Sequence, residues 1–387
     1  MFKRLIHVNP QSKHSVFIFG PRGTGKTSWL KQHFKQALYF DLLNDDTYTE
    51  LSARPTRLND KIPPNYKGWV IIDEVQKIPT ILNEVHRLIE GRQLRFILTG
   101  SSARKLKAQG VNLLAGRALT YHMHPLTCIE LGDRFDLTTS LLFGHLPIAV
   151  TSSEAKKYLS SYVATYLREE VLQEGLVRNV SLFTRFLETA SFSQGEVLNY
   201  TSISREIASN RHTVVNFFEI LEDLLIAYRL PVFSKRAKRG VVTAPKFYYF
   251  DVGVYRSIRP QGPLDSASEI DGAALETLFL QEARAYNDYF ELGYSFYYWR
   301  TYDKQEVDFI LYGNKGFFAF EIKRKMRLDT KDFKGLKAFS SDYPEAKLYL
   351  LYGGREPYFE GNIQVIPFNT ALKDLGHLLG VAIELTK

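Results

Sequence analysis

One cysteine, Cys128, stands among the 387 residues, with only three methionines and three tryptophans. A single thiol excludes an intramolecular disulfide, a CxxC redox centre and a zinc site built on paired cysteines. It suits a reducing cytoplasm, the localisation expected for this chain. Long apolar runs are missing too, and none nears the roughly 18 residues of a transmembrane helix. The first ten residues, Met1 to Pro10, are basic but only intermittently apolar, so no signal peptide and no membrane role are expected. An excess of negative charge is absent: the net charge is +8, with 45% hydrophobic and 24% charged residues, an ordinary balance that argues against global disorder. Such a basic sum suits a polyanionic partner, although evenly spread surface charge gives the same total.

What is present starts at Gly20-Pro21-Arg22-Gly23-Thr24-Gly25-Lys26-Thr27, between an apolar run at Ser15–Phe19 and a helical pattern from Ser28 to Phe34. Strand, glycine-rich turn and helix in that order form a Walker A P-loop. The glycines let successive backbone N–H groups turn toward a polyphosphate. Lys26 is placed to reach the β and γ phosphates of ATP, Thr27 to offer its hydroxyl to Mg²⁺, and the helix to point its positive end at the anion.

Trp69-Val70-Ile71-Ile72-Asp73-Glu74 reads as a buried parallel strand delivering two acids at its C-terminal edge, a Walker B pattern. Asp73 would hold the Mg²⁺ shell, and Glu74 would orient and deprotonate the attacking water. Ala37–Asp41 reads as a further short buried strand, and Ile81, Leu82, Val85, Leu88 and Ile89 as a helical core stripe. Arg95-Phe96-Ile97-Leu98-Thr99-Gly100-Ser101 is a third apolar strand, whose Thr99 or Ser101 is a candidate γ-phosphate sensor; the bland alternative is a cap, at Ser102, for a short helix at 103–106. Arg117, ahead of another strand, is a candidate arginine finger for its own or a neighbouring subunit, or else an ordinary surface ion pair.

These motifs, together with Val75-Gln76-Lys77-Ile78-Pro79 and Leu114-Ala115-Gly116-Arg117, resemble a large prokaryotic family of AAA+-like ATP-binding proteins. That family usually carries a C-terminal domain of unknown function with a PD-(D/E)xK nuclease-like core. The resemblance implies a P-loop sheet with an extra strand between Walker A and Walker B, and a helical lid following the core.

In the middle of the chain, Thr151 to Gly175 is helical in pattern, with Tyr158, Tyr162, Thr165 and Tyr166 at helical spacing, and Thr184–Ala190 reads as a second helix. Tyr200–Ala208 and Arg211–Ile226 form two helices joined by a short turn. A basic, hairpin-like stretch at Val232–Val242 follows, with four cations in residues 235–239. Together these match a winged helix-turn-helix whose wing would meet a nucleic-acid backbone, or a protein interface with a solvated basic loop.

Toward the C-terminus, Glu269–Ala283 is helical, Phe296–Arg300 is an aromatic strand, and Gln305–Tyr312 and Phe317–Lys323 are strands joined by Gly313-Asn314-Lys315-Gly316. Counting back from this hairpin sets Asp308 opposite Glu321 and Glu306 opposite Lys323. Directly opposed carboxylates repel, and a divalent cation between them would remove the penalty. The resemblance makes Asp308 and Glu321, completed by Glu276, ligands of Mg²⁺, and Lys323 the group that steadies the attacking water. A structural hairpin with a Glu306–Lys323 ion pair is the alternative. Cations at 323, 324, 325, 327, 331, 334 and 337 form a ridge that could track phosphates.

The expected architecture is α/β throughout: a P-loop AAA+-like ATPase core over residues 1–130, a helical lid over 131–190, a winged-helix middle over 191–260, and a restriction-endonuclease-like domain over 261–387. The expected activity is ATP hydrolysis coupled to DNA remodelling or translocation such as branch migration, in a homo-oligomeric ring for which a hexamer is one option. The alternatives are an ATP-gated, Mg²⁺-dependent DNA nuclease, and an ATP-dependent signalling switch that binds a protein partner.

Overall fold

The computed structural model describes residues 2–101, 114, 116–167, 179–236, 239–263 and 265–381. The chain divides into two compact units, one holding residues up to His124 together with Asp223–Ile226, the other holding Pro125–Glu222 and Ala227 onward.

The first unit is built on β1 (Ser15–Phe19), β2 (Leu38–Asp41), β3 (Trp69–Asp73), β4 (Arg95–Gly100) and β5 (Ala118–His122), ordered β2-β3-β4-β1-β5 and parallel at every pairing. The continuous apolar runs occupy the centre: β1 and β3 are buried along their whole length, as is β4 after Arg95. β2, expected to be buried, is instead a half-exposed edge strand, because β3 covers only one of its sides. β4 lies between β1 and β3, so the extra strand sits where the resemblance put it. Parallel neighbours carry both acidic and glycine-rich loops to one end of the sheet, which places Gly20 and Asp73 together.

Helix α1 (Lys26–His33) follows the glycine-rich turn directly, and α2 (Asp45–Ala53) starts at Asn44, whose side chain accepts from the Thr47 N–H. The apolar stripe of α3 (Ile81–Arg92) buries Ile81, Leu82, Val85 and Leu88 against Val70, Ile72, Phe96 and Leu98.

In the second unit, the helix Ala155–Ser161 runs into a π-helical turn at Tyr162–Leu167. The expected continuation of that helix to Gly175 and the cap at Ser102 lie outside the described residues. Helices α4 (Val180–Ser191), α5 (Tyr200–Glu206) and α6 (Arg211–Asp223) then lead to a ribbon of β6 (Ala227–Leu230) and β7 (Lys246–Tyr249). Phe183 and Phe186 of α4 pack on Phe217 and Phe218 of α6, and Phe218 packs on Phe247 of β7.

The segment between β6 and β7 is not the tight basic hairpin that its composition predicts. It runs along β8 (Ser295–Arg300): the Phe233 N–H donates to the Tyr298 carbonyl (2.7 Å), the Tyr298 N–H to Pro231 (3.0 Å) and the Val242 N–H to Arg300 (3.1 Å). Phe233, an apolar residue in a basic stretch, is the physical reason. It is buried among Tyr297, Phe317, Phe339 and Tyr343 of the C-terminal core. Lys235 lies over the Tyr312 ring at 4.3 Å and Arg239 pairs with Asp342 at 3.1 Å.

After the long helix α7 (Ala267–Tyr289) and β8 come β9 (Glu306–Gly313), β10 (Gly316–Lys323), α8 (Lys334–Asp342), β11 (Lys347–Tyr352), β12 (Tyr358–Glu360) and β13 (Ile363–Pro367). The sheet order is β12-β13-β11-β10-β9-β8. The hairpin register is the one its turn dictates, with Gly313 opposite Gly316 and Phe309 opposite Phe320. Phe309 and Phe320 both meet Phe279 of α7, at ring separations of 5.1 and 4.8 Å. α8 approaches β9 so closely that a Cβ on Gly335 would lie 1.8 Å from the Glu306 carbonyl oxygen.

Candidate functional site

At the end of β1 the chain enters the glycine-rich turn with no room for a side chain: a Cβ on Gly20 would meet the Met123 carbonyl oxygen at 2.3 Å. Gly23 and Gly25 take φ of 85° and 97°, the left-handed region that a side chain disfavours. The turn is braced from within and from outside. The Thr24 hydroxyl donates to the Pro21 carbonyl (2.8 Å), while the Arg4 guanidinium donates to the carbonyls of Thr24 and His124 (2.6 Å each). Lys26 is buried, with its ammonium on the carbonyls of Gly20 (2.6 Å) and Pro21 (3.2 Å). The N–H groups of Gly23, Gly25, Lys26 and Thr27 find no acceptor among the described residues. Four open donors beside an ammonium held only by neutral carbonyls make a cradle suited to a polyphosphate.

Asp73 faces this cradle from β3. One carboxylate oxygen accepts from the Thr27 hydroxyl (2.7 Å) and from the Tyr39 hydroxyl, and the other accepts from the Thr99 hydroxyl. Burial, and then the hydrogen bond to Asp73, push the Tyr39 hydroxyl far up from its ordinary value, so it stays a neutral donor. A threonine hydroxyl and a carboxylate in contact beside an anion cradle fit a hydrated Mg²⁺ that bridges to phosphate oxygens. Next in the chain, Glu74 adopts a left-handed backbone (φ 61°, ψ 46°), a strained conformation for a residue with a side chain. Its N–H donates to the Thr99 hydroxyl (3.2 Å), and its carboxylate accepts from the Gln76 amide (2.5 Å), which also donates to the Ser101 hydroxyl (3.0 Å). Of the two sensor candidates, Thr99 touches Asp73 directly and Ser101 reaches Glu74 only through Gln76.

Sequence reasoning missed Arg4, Tyr39 and Gln76. Gln76 carried a usable signal, two residues beyond Glu74. Arg4 and Tyr39 arrive from distant segments and carried none.

Arg117 needs a correction. Its carbonyl accepts from the Ser15 N–H at the start of β1, and Ser15 is level with Ala118, so Arg117 lies at the opposite end of the sheet from Gly20. Five strand residues at about 3.3 Å each put roughly 17 Å between the two levels, and its guanidinium is ion-paired with Glu90. Arg117 does not reach the phosphate cradle of its own subunit.

The second cluster lies in the other unit. Asp308 and Glu321 come together across β9 and β10, but the backbone ladder gives way to side-chain bonds there. The Asp308 N–H donates to Glu321 Oε2 (3.3 Å), and the Ile322 N–H donates to Asp308 Oδ2 (2.9 Å). Lys323 donates to Glu321 Oε1 at 2.5 Å, and not to Glu306 as counted from the hairpin. Glu306 pairs with Arg300 (3.1 Å) and with Lys246.

Lys246, on β7, is the functional group that sequence reasoning did not find. Its ammonium is buried in contact with Glu306, 3.3 Å from Asp308 and 3.8 Å from Glu276, whose carboxylate also accepts from the Tyr248 hydroxyl (2.7 Å). Burial pulls its proton affinity down, but Tyr248, Glu276, Asp308 and Glu306 together hold it well above the ordinary lysine value. Burial, then the charge of Asp308, raises Glu276 and Glu321. The Mg²⁺ set of Glu276, Asp308 and Glu321 that the resemblance implies meets a cluster already supplied with cations of the chain. The repulsion between the acids is relieved by two ammonium groups and two backbone N–H groups, and among the described residues no group of three or more His, Cys, Asp or Glu side chains is arranged to hold a metal ion. The cationic ridge is also partly neutralised by ion pairs at the surface, since Arg324 pairs with Asp271, Lys325 with Asp329 and Asp332, and Lys337 with Glu360.

Residues 12–132 match the family model described as an AAA domain. The N-terminal unit, with its parallel sheet and glycine-rich turn, resembles a P-loop ATPase domain. Residues 134–265 and 271–371 match two domains of unknown function, DUF8612 and DUF4143. An uncharacterized protein of Mycobacterium tuberculosis is 25% identical over 371 residues, covering 92% of this chain and 79% of that protein. An uncharacterized protein of Haemophilus influenzae is 22% identical over 218 residues, covering 51% and 54%. Among solved structures, the Aeropyrum pernix Orc1 protein in complex with DNA aligns over 63% of this chain and 86% of its own, at 12% identity and a TM-score of 0.30. A Vibrio cholerae protein aligns over 94% and 97%, at 14% identity and a TM-score of 0.23. TM-scores this low establish no common fold. No helix among the described residues is long and apolar enough to cross a membrane.

Proposed function

We propose that this protein hydrolyses ATP at the P-loop and uses the turnover to act on DNA, working as a homo-oligomer. The observation that carries the ATPase part is the convergence of the Lys26 cradle with Asp73 and Glu74 at one end of one parallel sheet. Lys26 and the open N–H groups would hold the β and γ phosphates. Thr27 and Asp73 would hold Mg²⁺, which supplies charge neutralisation on the phosphates when bound. Glu74, restrained by Gln76, would take the proton of the attacking water. In a ring, Arg117 would have to leave Glu90 to serve a neighbouring subunit's phosphate, since its own is out of reach.

The DNA part rests on the net charge of +8 and on Arg327, Lys331 and Lys334, exposed cations that form no ion pair among the described residues. A protein partner in place of DNA is favoured by the ion pairs that occupy the rest of the ridge. The deciding experiment is the ATPase rate of the intact protein with and without linear, branched and single-stranded DNA, beside Lys26→Ala and Glu74→Gln. Turnover that disappears in both variants supports the site; unchanged hydrolysis would refute it. DNA-stimulated turnover that weakens as salt rises supports the DNA reading. A rate indifferent to every DNA substrate moves the reading to a protein partner.

A further inference from the structure

The carboxylates of the second unit leave little for a metal to take. Asp308 gives one oxygen to Lys246 and the other to the Ile322 N–H. Glu321 gives one to Lys323 and the other to the Asp308 N–H. Each of the four oxygens of the two acids thus already accepts from one donor of the chain itself. A divalent ion coordinated at about 2.1 Å to both acids would share their oxygens with these donors and would stand against the like charge of the buried ammonium 3.3 Å from Asp308.

Nor can that ammonium readily withdraw. Lys246 is opposite Leu230 in the β6–β7 ribbon and bridged to Val197, and its neighbour Pro245 accepts from the Leu198 N–H at 2.9 Å. Its side chain is 2% exposed and lies near the Tyr298 ring. Burying a lone ammonium costs several kcal/mol, and the three acids around Lys246 offset that cost.

We propose that Lys246 is the resident cation of this cluster: its ammonium takes the place that the nuclease-like resemblance gives to a divalent metal. The cluster is then a charge-closed joint that ties the β6–β7 ribbon to β9 and α7, and the wild-type protein has no metal site there. This inference stands apart from the ATPase reading and survives its failure.

The test is Mn²⁺ binding to full-length, nucleotide-free protein, followed by electron paramagnetic resonance, for wild type, Asp308→Asn, Lys246→Met and the Lys246→Met/Asp308→Asn double variant. Wild type should show no Asp308-dependent site with a Kd below about 1 mM. Lys246→Met should bind at least about tenfold more tightly than wild type, and the double variant should lose the gain. Wild-type binding that Asp308→Asn abolishes would overturn the proposal, as would a folded Lys246→Met protein that takes up no Mn²⁺. If Lys246→Met does not fold, the thermal unfolding of wild type and Asp308→Asn with and without Mn²⁺ decides alone. No Mn²⁺-dependent rise in either supports the proposal; a rise in wild type that Asp308→Asn lacks refutes it.

Discussion

Lys26 and Lys246 are both buried lysines on or beside a strand end, yet they keep different company. Lys26 rests on two carbonyl oxygens, neutral acceptors that a phosphate can replace with gain, and four open N–H groups share its cradle. Lys246 is surrounded by three carboxylates and has no charge left to offer. The first arrangement is unfinished without a ligand, and the second is complete without one. What separates a binding site from a structural cluster here is whether the donors and acceptors are already satisfied, since both contain the residue types of phosphate chemistry.

The sharpest way to break this contrast is to remove each lysine in turn. Lys26→Ala should lower ATP turnover by about 10²-fold or more, as expected when a phosphate donor is lost, and should change folding stability by less than about 1 kcal/mol. Lys246→Ala should do the reverse in the second unit and cost about 3–5 kcal/mol, because buried Asp308 and half-buried Glu276 and Glu306 lose the ammonium they share. Urea unfolding and steady-state ATPase rates on the same preparations give both readings. Equal stability losses in the two variants would erase the distinction.

A smaller effect sharpens the first half of it. Asp73 accepts three hydroxyl groups, from Thr27, Tyr39 and Thr99, and Thr99 alone also receives the Glu74 N–H. Thr99→Val removes a hydrogen bond to a buried charge and should destabilise the nucleotide-free protein by about 1.5–3 kcal/mol. Gln76→Ala should instead act on chemistry. Freed from the Gln76 amide, Glu74 loses its fixed aim, and kcat should fall about tenfold with KM for ATP unchanged. A matching rise in KM would mean that Gln76 supports binding and not the base.

The difference between the units also explains what was legible in the sequence. The P-loop and Walker B are contiguous strings whose spacing encodes their geometry, so Gly20 to Thr27 and Asp73-Glu74 could be read directly, and the hairpin at Gly313–Gly316 fixed its own register. Lys246 had no such string. It reaches Asp308 from 62 residues away, and the basic segment before it appeared to be a free wing because one apolar residue, Phe233, decides where that segment packs. The choice among the options for Arg117 is hidden for a related reason: a short motif says which strand follows, but not which end of the sheet its arginine occupies.

Glu276 offers the finest test of the closed cluster. Burial and the charge of Asp308 push its carboxyl up to about 8 from an ordinary 4.5, so the folded protein holds a proton that the unfolded chain has released. Between those two values the unfolded state binds fewer protons, and stability must fall as pH rises. The contribution is fully present below about pH 4.5 and gone above about pH 8. Glu276→Gln keeps the shape and an acceptor for the Tyr248 hydroxyl but cannot titrate, so its stability should decline less than that of wild type between pH 5 and pH 8. Urea midpoints at the two pH values for both proteins measure the difference. Parallel declines would mean that Glu276 is already ionised beside Lys246, and that the cluster is held by four full charges, not by an acid proton as well.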